Sequence, residues 1–325
     1  MWESELSCTV TRERVLDAYT RILDAEAGEW LSALAFLSRN DGLVLTGEWD
    51  SRAMGYVSYL PVGNGSVTYV ETQQALHLTG HKNAHPTLLQ IQSGQISDLD
   101  MPGLVLGPGD FLMLRPRQRL NLKSGSNTRL LAIQLFDAPS DNLVPGRNPV
   151  LDIHTQTYLD DAPFFCHNTD AVRRTHRLLG ELRESLIKPT RTIEHIKEPI
   201  DPRVLRAVLH MRQNPDWPFN LAELAAIAYT SERNLYNLMR VHIGCTPYRY
   251  YQRCRLLRVR DRMVSHRFES SSISWYAMEG GFNHLGRFSA LYREHFGELP
   301  SETLGWKKQL QAILQPSDIR RFMTH

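Results

Sequence analysis

Residues 280–297 read GGFNHLGRFSALYREHFG, and residues 228–244 read AYTSERNLYNLMRVHIG. At an offset of 53 residues, Leu235, Leu238, Met239, Ile243, Gly244 and Pro247 fall on Phe288, Leu291, Tyr292, Phe296, Gly297 and Pro300. In each copy the apolar positions recur at i, i+3, i+4 and i+8, which gives a helix one buried face. Each run then stops at a glycine, the usual helix terminator. A shorter amphipathic run precedes each copy, LAELAAIA at 221–228 and SISWYAME at 272–279, joined to it by YTS or GGFN. Helix, tight turn, helix, written twice, predicts two helix-turn-helix units at about 221–242 and 272–296, with the second helix of each entering a DNA major groove.

The outward faces then carry the chemistry. Opposite the stripe of the first reading helix lie Arg233, Asn237 and Arg240, flanked by Tyr236, with Ser231 as its N-cap. Arg chelates guanine and Asn chelates adenine along their major-groove edges, so these are side chains a reading helix uses. The second helix presents His284, Leu285, Gly286, Arg287, Ala290 and Arg293. Here Arg287 is the base reader, Arg293 a phosphate contact, and Leu285 or Ala290 a partner for a thymine methyl. Between the units, residues 246–265 place Tyr250, Cys254, Leu257 and Val264 along one side and six arginines around the rest. Twenty residues in a helix span about 30 Å, close to the roughly 34 Å between successive major-groove faces on one side of the duplex.

The stretch from Leu221 to Leu304 resembles the DNA-binding domain of the AraC/XylS transcriptional regulators: SERNL at 231–235, GCTPYRY at 244–250 followed by RL, and GFNHLGRFSALYREHFGELPSE at 281–302. The resemblance implies two helix-turn-helix units on a rigid linker helix. It puts base reading on Arg233, Tyr236 and Asn237, and on Leu285, Gly286, Arg287 and Ala290. It also implies double-stranded DNA and RNA polymerase as partners, and an activator. Three positions depart from the family pattern: Tyr229 in place of a small turn residue, Gly280 in place of an apolar one, and Trp275 in place of a polar one.

Charge divides the chain the same way. From residue 203 onward 18 Lys and Arg face 10 Asp and Glu, a balance of +8, whereas the first 202 residues carry −6. The basic part suits an anionic polymer, and the acidic part is a poor second DNA surface. In that first part, from about residue 30 to 136, β-rich runs (SVTYVE, TLLQIQ, DFLMLRP, RLLAIQLF) alternate with turn clusters (VGNG, QSG, GPGD, KSGSN), which predicts a β sandwich or barrel. LGPGDFLML followed by RLLAIQLF resembles the family's cupin-like sensing domain. Residues 11–25 place Val15, Tyr19, Ile22 and Leu23 at helical spacing, so a helix is expected there.

The fold class expected is therefore α+β with two domains. The N-terminal domain, 1–190, is a β-rich cupin-like barrel with flanking helices, for a small-molecule effector and for dimerisation. A polar linker, 191–201, leads to an all-α DNA-binding domain, 202–306, and a tail, 307–325. On residues 168–187 the leucine stripe can pack on its own domain or on a second copy; the expectation carried forward is a homodimer contact through Leu179, Leu182 and Leu186. The histidines of HLTGHKNAH (His77, His81, His85) are the one cluster to weigh for a metal, but Gly80 and Pro86 break the helix that would align them, and no metal, cofactor or enzymatic activity is expected. Four scattered cysteines give neither a zinc module nor a disulfide framework. The acidic start and the shortness of the apolar runs predict a cytoplasmic protein without a membrane span.

Overall fold

The computed structural model describes residues 14–38, 43–46, 54–80, 84–136, 138, 143–188, 200–265 and 272–313. The N-terminal part carries β1 (Thr20–Leu23), α1 (Ala27–Ser38), β2 (Val44–Thr46), β3 (Gly55–Val62), β4 (Gly65–Thr72), β5 (Leu76–Gly80), β6 (Thr87–Ser93) and β7 (Ile96–Asp98). It continues with β8 (Val105–Leu106), β9 (Asp110–Leu114), β10 (Leu120–Ser124), β11 (Thr128–Leu135), β12 (Gly146–Arg147), α2 (Pro149–Asp161) and α3 (Asn168–Ile187). The turn clusters sit where the sequence puts them. Gly63 and Asn64 close the β3–β4 hairpin between the paired residues Val62 and Gly65. In LGPGD, Gly109 takes φ +85° and the Gly107 N–H donates to Asp110 Oδ2 at 2.8 Å, turning the chain into β9.

The strands form two antiparallel sheets, β1-β3-β4-β11-β6-β9-β12 and β2-β5-β10-β7-β8. Among the described residues no ladder joins them, so a closed barrel is not formed. The edge strands of the smaller sheet, β2 and β8, have three and two residues and are too short to carry the ladder round. Between the sheets lies a core of Ile22, Trp30, Val57, Leu89, Leu112 and Leu122. Beside it opens a cavity of about 870 Å³, counting its mouth, lined by residues such as Trp30, Leu34, Leu114, Leu122, Thr68 and Gln134. Its described lining holds no charged side chain.

Two expectations are corrected. The helix expected over 11–25 is, among the described residues, a 3-10 turn (Asp17–Tyr19) followed by β1. Leu16 and Asp24 have positive φ, which stops a helix at either side, and β1 pairs with β3. Helix α3 forms as expected, but its stripe is buried inside the same chain. Leu179, Leu182 and Leu186 belong to the core with Val67, Leu131 and Tyr158, and Leu182 is 0% exposed. Leu179 Cδ1 lies against Gly65, where a Cβ would come within 2.9 Å of it. These leucines cover the outer face of the larger sheet and are not available to a second copy.

The C-terminal part is helical: α4 (Pro202–Gln213), α5 (Leu221–Ile227), α6 (Glu232–His242), α7 (Pro247–Val264), α8 (Ile273–Glu279), α9 (Leu285–Phe296) and α10 (Pro300–Ile313). Most of the expected linker, 191–199, lies outside the described residues, as does 314–325 of the tail; α10 runs on past Trp306. The first unit has a separate core of Val204, Leu224, Leu235, Met239 and Tyr250, joined by Phe164 and Cys166. The core of the second, Leu256, Tyr276, Phe288, Tyr292 and Phe296, is continuous with the cluster under α3.

Candidate nucleic-acid interface

Three of the four helices that make up the two units, and the helix between the units, start at a side-chain cap; α9 starts at His284 without one. Asn220 caps α5, Ser231 caps α6 through the Asn234 N–H at 3.3 Å, Thr246 caps α7 and Ser272 caps α8. The repeated positions do what the spacing requires. Leu235, Met239, Phe288 and Tyr292 are fully buried, and Gly244 and Gly297 end their helices at φ +82° and +77°. With those faces inward, Arg233, Tyr236, Asn237 and Arg240 on α6 point to solvent. So do His284, Leu285, Gly286, Arg287, Ala290 and Arg293 at the start and along the outer side of α9. The Arg240 guanidinium lies 5.9 Å from the Tyr236 ring centre. Among the described residues no acid pairs with Arg233, Arg287 or Arg293, which leaves their charge for an anion.

The arginines of α7 behave in the opposite way. Arg249 pairs with Glu294 at 3.3 Å, Arg258 with Asp216, and Arg262 with Glu279 at 3.2 Å, while Arg255 donates to the Gly280 carbonyl at 2.6 Å. Arg253 and Arg260, each 1% exposed, turn inward: Arg253 meets Asp17 of the N-terminal domain at 3.2 Å, and Arg260 meets Glu298 at 2.7 Å and donates to the Thr20 carbonyl at 3.2 Å. Burial alone would raise the Glu298 pKa, but the Arg260 and Arg21 guanidiniums outweigh it and hold the carboxyl at about 2. Asp17 is likewise held below its usual range, burial being overcome by Arg212, Arg253 and Arg14. Arg253 and Arg260 lie seven residues apart, on the side of α7 that also carries Leu256, Leu257 and Val264. That coincidence with the apolar stripe is the signal a sequence offers for their burial.

The departures at Gly280 and Tyr229 have local reasons. A Cβ on Gly280 would lie 2.3 Å from Val259 Cγ2, so glycine is what lets α8 close onto α7. Tyr229, with φ 55°, is 80% exposed and has the Arg206 guanidinium 5.0 Å from its ring centre. The turn needs the left-handed conformation, and the cation over the ring is the compensating contact. Trp275 is 42% exposed and meets Tyr276 edge-on; nothing in the structure explains why it is tryptophan.

Of the histidines in HLTGHKNAH, His77 bonds Asn121 Oδ1 at 2.8 Å, His85 packs on Phe136, and His81 lies outside the described residues. Among the described residues no three metal-ligating groups converge, and no helix is long and apolar enough to cross a membrane.

Comparison with known proteins agrees with this geometry. A helix-turn-helix domain family matches residues 224–305. The XylDLEGF operon transcriptional activator of Pseudomonas putida is 39% identical over 104 residues, 32% of either chain. The HTH-type transcriptional regulator GbdR of Pseudomonas aeruginosa is 33% identical over 124 residues, 38% of this chain and 32% of that one. The match thus spans about a third of these relatives' length. A solved AraC-type DNA-binding domain protein from Chromobacterium violaceum is 30% identical, covering 33% of this chain and 94% of its own, with a TM-score of 0.30.

Proposed function

Since the chain belongs, by its C-terminal helix-turn-helix domain, to the AraC/XylS family of transcriptional regulators, we propose that it is a sequence-specific transcription regulator in which α6 and α9 read two successive major-groove segments. The observation that carries this reading is the contrast among arginines: those on α7 have partners, whereas Arg233, Arg287 and Arg293 stand exposed and, among the described residues, without acids on the two outward faces. Helix α7, with 18 residues, separates the units by about 27 Å, which suits one turn of duplex. Activation is supported by the names of the P. putida relatives, which are transcriptional activators; RNA polymerase as the partner is what the family resemblance implies.

The double-sheet domain serves in this reading as an effector domain, the role that the resemblance to a cupin-like sensing domain implies. Its apolar, uncharged cavity favours a neutral, largely apolar small molecule. A homodimer remains part of the proposal, through a surface other than the leucine stripe of α3.

The test is selection of binding sites by the full-length chain from random duplex DNA at several salt concentrations. Two conserved half-sites about 10 base pairs apart should emerge, and affinity should fall steeply with salt as counterions are released. Recovery of no preferred sequence, or an affinity indifferent to salt, would refute groove docking.

A further inference from the structure

The two helix-turn-helix units share a contact that the repeat in sequence does not show. Each unit is preceded by a longer helix, α4 for the first and α7 for the second, and each of these lends one arginine to the turn between the unit's two helices. The turns themselves are alike. After α5 the Tyr229 N–H donates to the Ala226 carbonyl and the Thr230 N–H to the Ala225 carbonyl, each at 3.0 Å. After α8 the Gly281 N–H donates to the Met278 carbonyl and the Phe282 N–H to the Ala277 carbonyl, each at 2.8 Å. This paired closure runs through a left-handed residue, Tyr229 at φ 55° and Gly281 at φ 72°. It satisfies two of the carbonyls that a helix end leaves open, but not that of the capping residue, Ala228 or Gly280.

An arginine supplies the missing donor in both. Arg206 Nη2 donates to the Ala228 carbonyl at 3.1 Å, and Arg255 Nη2 to the Gly280 carbonyl at 2.6 Å. Each guanidinium also lies over an aromatic ring of the turn, Arg206 5.0 Å from the Tyr229 ring centre and Arg255 5.2 Å from that of Phe282. The ring comes one position later in the second turn, because a Cβ on Gly281 would fall on the Arg255 guanidinium. Arg255 has a second ring beside it, Tyr251 at 5.7 Å, whose hydroxyl donates to the Trp217 carbonyl at 2.7 Å. The clasp of the second unit is thereby connected to the loop between α4 and α5. Arg206 precedes its carbonyl by 22 positions and Arg255 by 25, so no fixed offset aligns them in the sequence.

We propose that Arg206 and Arg255 are positioning residues: each clasps the turn of its own unit and so sets the angle at which α6 or α9 meets its groove. This rests on the reading of α6 and α9 as groove readers. Neither arginine is itself a reader, since both are half-buried and their guanidiniums are engaged by a carbonyl and a ring. The reading helices begin just beyond the clasped turns, at Glu232 and Leu285. Hydrogen bonds to base edges have narrow geometry, whereas attraction to phosphates does not depend on sequence. A turn free to tilt therefore costs discrimination before it costs attraction to the duplex.

The experiment measures full-length Arg206→Met and Arg255→Met on the duplex that the unchanged chain selects from random DNA, on duplexes scrambled in one half-site or the other, and on random duplex. The half-site of α6 is the one whose preference Asn237→Ala relaxes. Arg206→Met is expected to bind the selected duplex about tenfold more weakly and to lose most of its preference within the α6 half-site, while scrambling the α9 half-site costs as much as before. Arg255→Met should show the mirror pattern. Binding to random duplex, and its dependence on salt, should stay unchanged in both, because no phosphate contact is removed. Arg255→Lys should recover part of the discrimination, since an ammonium reaches the carbonyl but does not stack between two rings; it also keeps the test decisive where a Met variant fails to fold. The proposal is overturned if the variants keep full discrimination at their own half-sites, or if one weakens both half-sites equally, as a general loss of stability would. A salt slope lower by about 1 would also overturn it, as the mark of a lost phosphate contact. An unchanged chain that selects no duplex overturns the groove reading and the clasp with it, whereas a selected two-part duplex that both variants read as before overturns the clasp alone.

Discussion

Exposed arginines and asparagines become readers only when nothing inside the protein already holds them. Among the described residues, Arg233 and Asn237 meet that condition on α6, and Arg287 meets it on α9. Replacing Arg233 or Asn237 by Ala should cost about 1–3 kcal/mol on the preferred site and relax the preference at one or two base pairs. Arg293→Ala should weaken preferred and random duplexes alike, because a phosphate contact carries no sequence information. Competition binding against a library of single-base variants separates these outcomes. If Arg293→Ala altered base preference and the α6 changes did not, the assignment of reader and anchor would be reversed. Gly280 sets a limit of another kind. Gly280→Ala would drive a methyl into Val259 from 2.3 Å, so α8 must move off α7. A loss of about 1–3 kcal/mol in denaturant unfolding is expected; an unchanged midpoint would mean that α8 can shift off α7 without cost.

At the scale of elements, what was legible in the sequence depended on whether one local pattern had one meaning. The helix pairs α5–α6 and α8–α9 were legible because apolar spacing and the glycines after α6 and α9 agree, and their outward residues follow from the same spacing. The segment at β1 was not. Tyr19, Ile22 and Leu23 satisfy a helical stripe, but Tyr19 packs in the cluster under α3 while Ile22 faces the core between the sheets. Pairing with β3 overrides the local period. The stripe of α3 was legible as a stripe, but a stripe does not name its partner; only the fold shows the larger sheet beneath it. The position of Arg253 and Arg260 on the apolar side of α7 hinted at their burial, but their partners were illegible because Asp17 and Glu298 lie 236 and 38 positions away in sequence. A consequence follows for α3. Leu182→Ala should cost about 2–5 kcal/mol of stability in urea while leaving the sedimentation of the folded protein unchanged. A switch from dimer to monomer with stability intact would return the stripe to an intermolecular contact.

Across the whole molecule, the two domains are joined by charges out of water, and that makes their union sensitive to acid. Glu298 lies between Arg21 and Arg260, at 2.5 and 2.7 Å; Asp17 takes Arg212 at 2.9 Å and Arg253 at 3.2 Å, with Arg14 and Asp261 nearby. Both carboxyls are held below their usual pKa, so the folded state binds fewer protons there than the unfolded chain. The stability they contribute is fully present above about pH 4.5 and is lost as pH falls toward about 2, where Glu298 itself titrates. His295 acts in the same sense at higher pH. Burial, then Arg253, lowers its pKa from 6.5 to about 3, and the ring is held neutral while its Nδ1–H donates to the Cys166 carbonyl. Below pH 6.5 the unfolded chain takes up a proton there that the folded one refuses, a slope of about 1.4 kcal/mol per pH unit. Asp261, whose pKa burial raises against Arg14, works the other way and offsets part of the loss. Urea unfolding of the full chain should therefore show stability declining from pH 6.5 downward and more steeply below pH 4.5. Glu298→Gln should be less stable at pH 7, by on the order of 3 kcal/mol, and should lose part of the added steepness below pH 4.5, the share of Asp17 remaining, while keeping the decline above it. A profile flat from pH 6.5 to 4.5 would mean that His295 reaches water in the folded protein. If Glu298→Gln left the steep acid limb undiminished, that limb would belong to Asp17 or to carboxyls outside the domain junction.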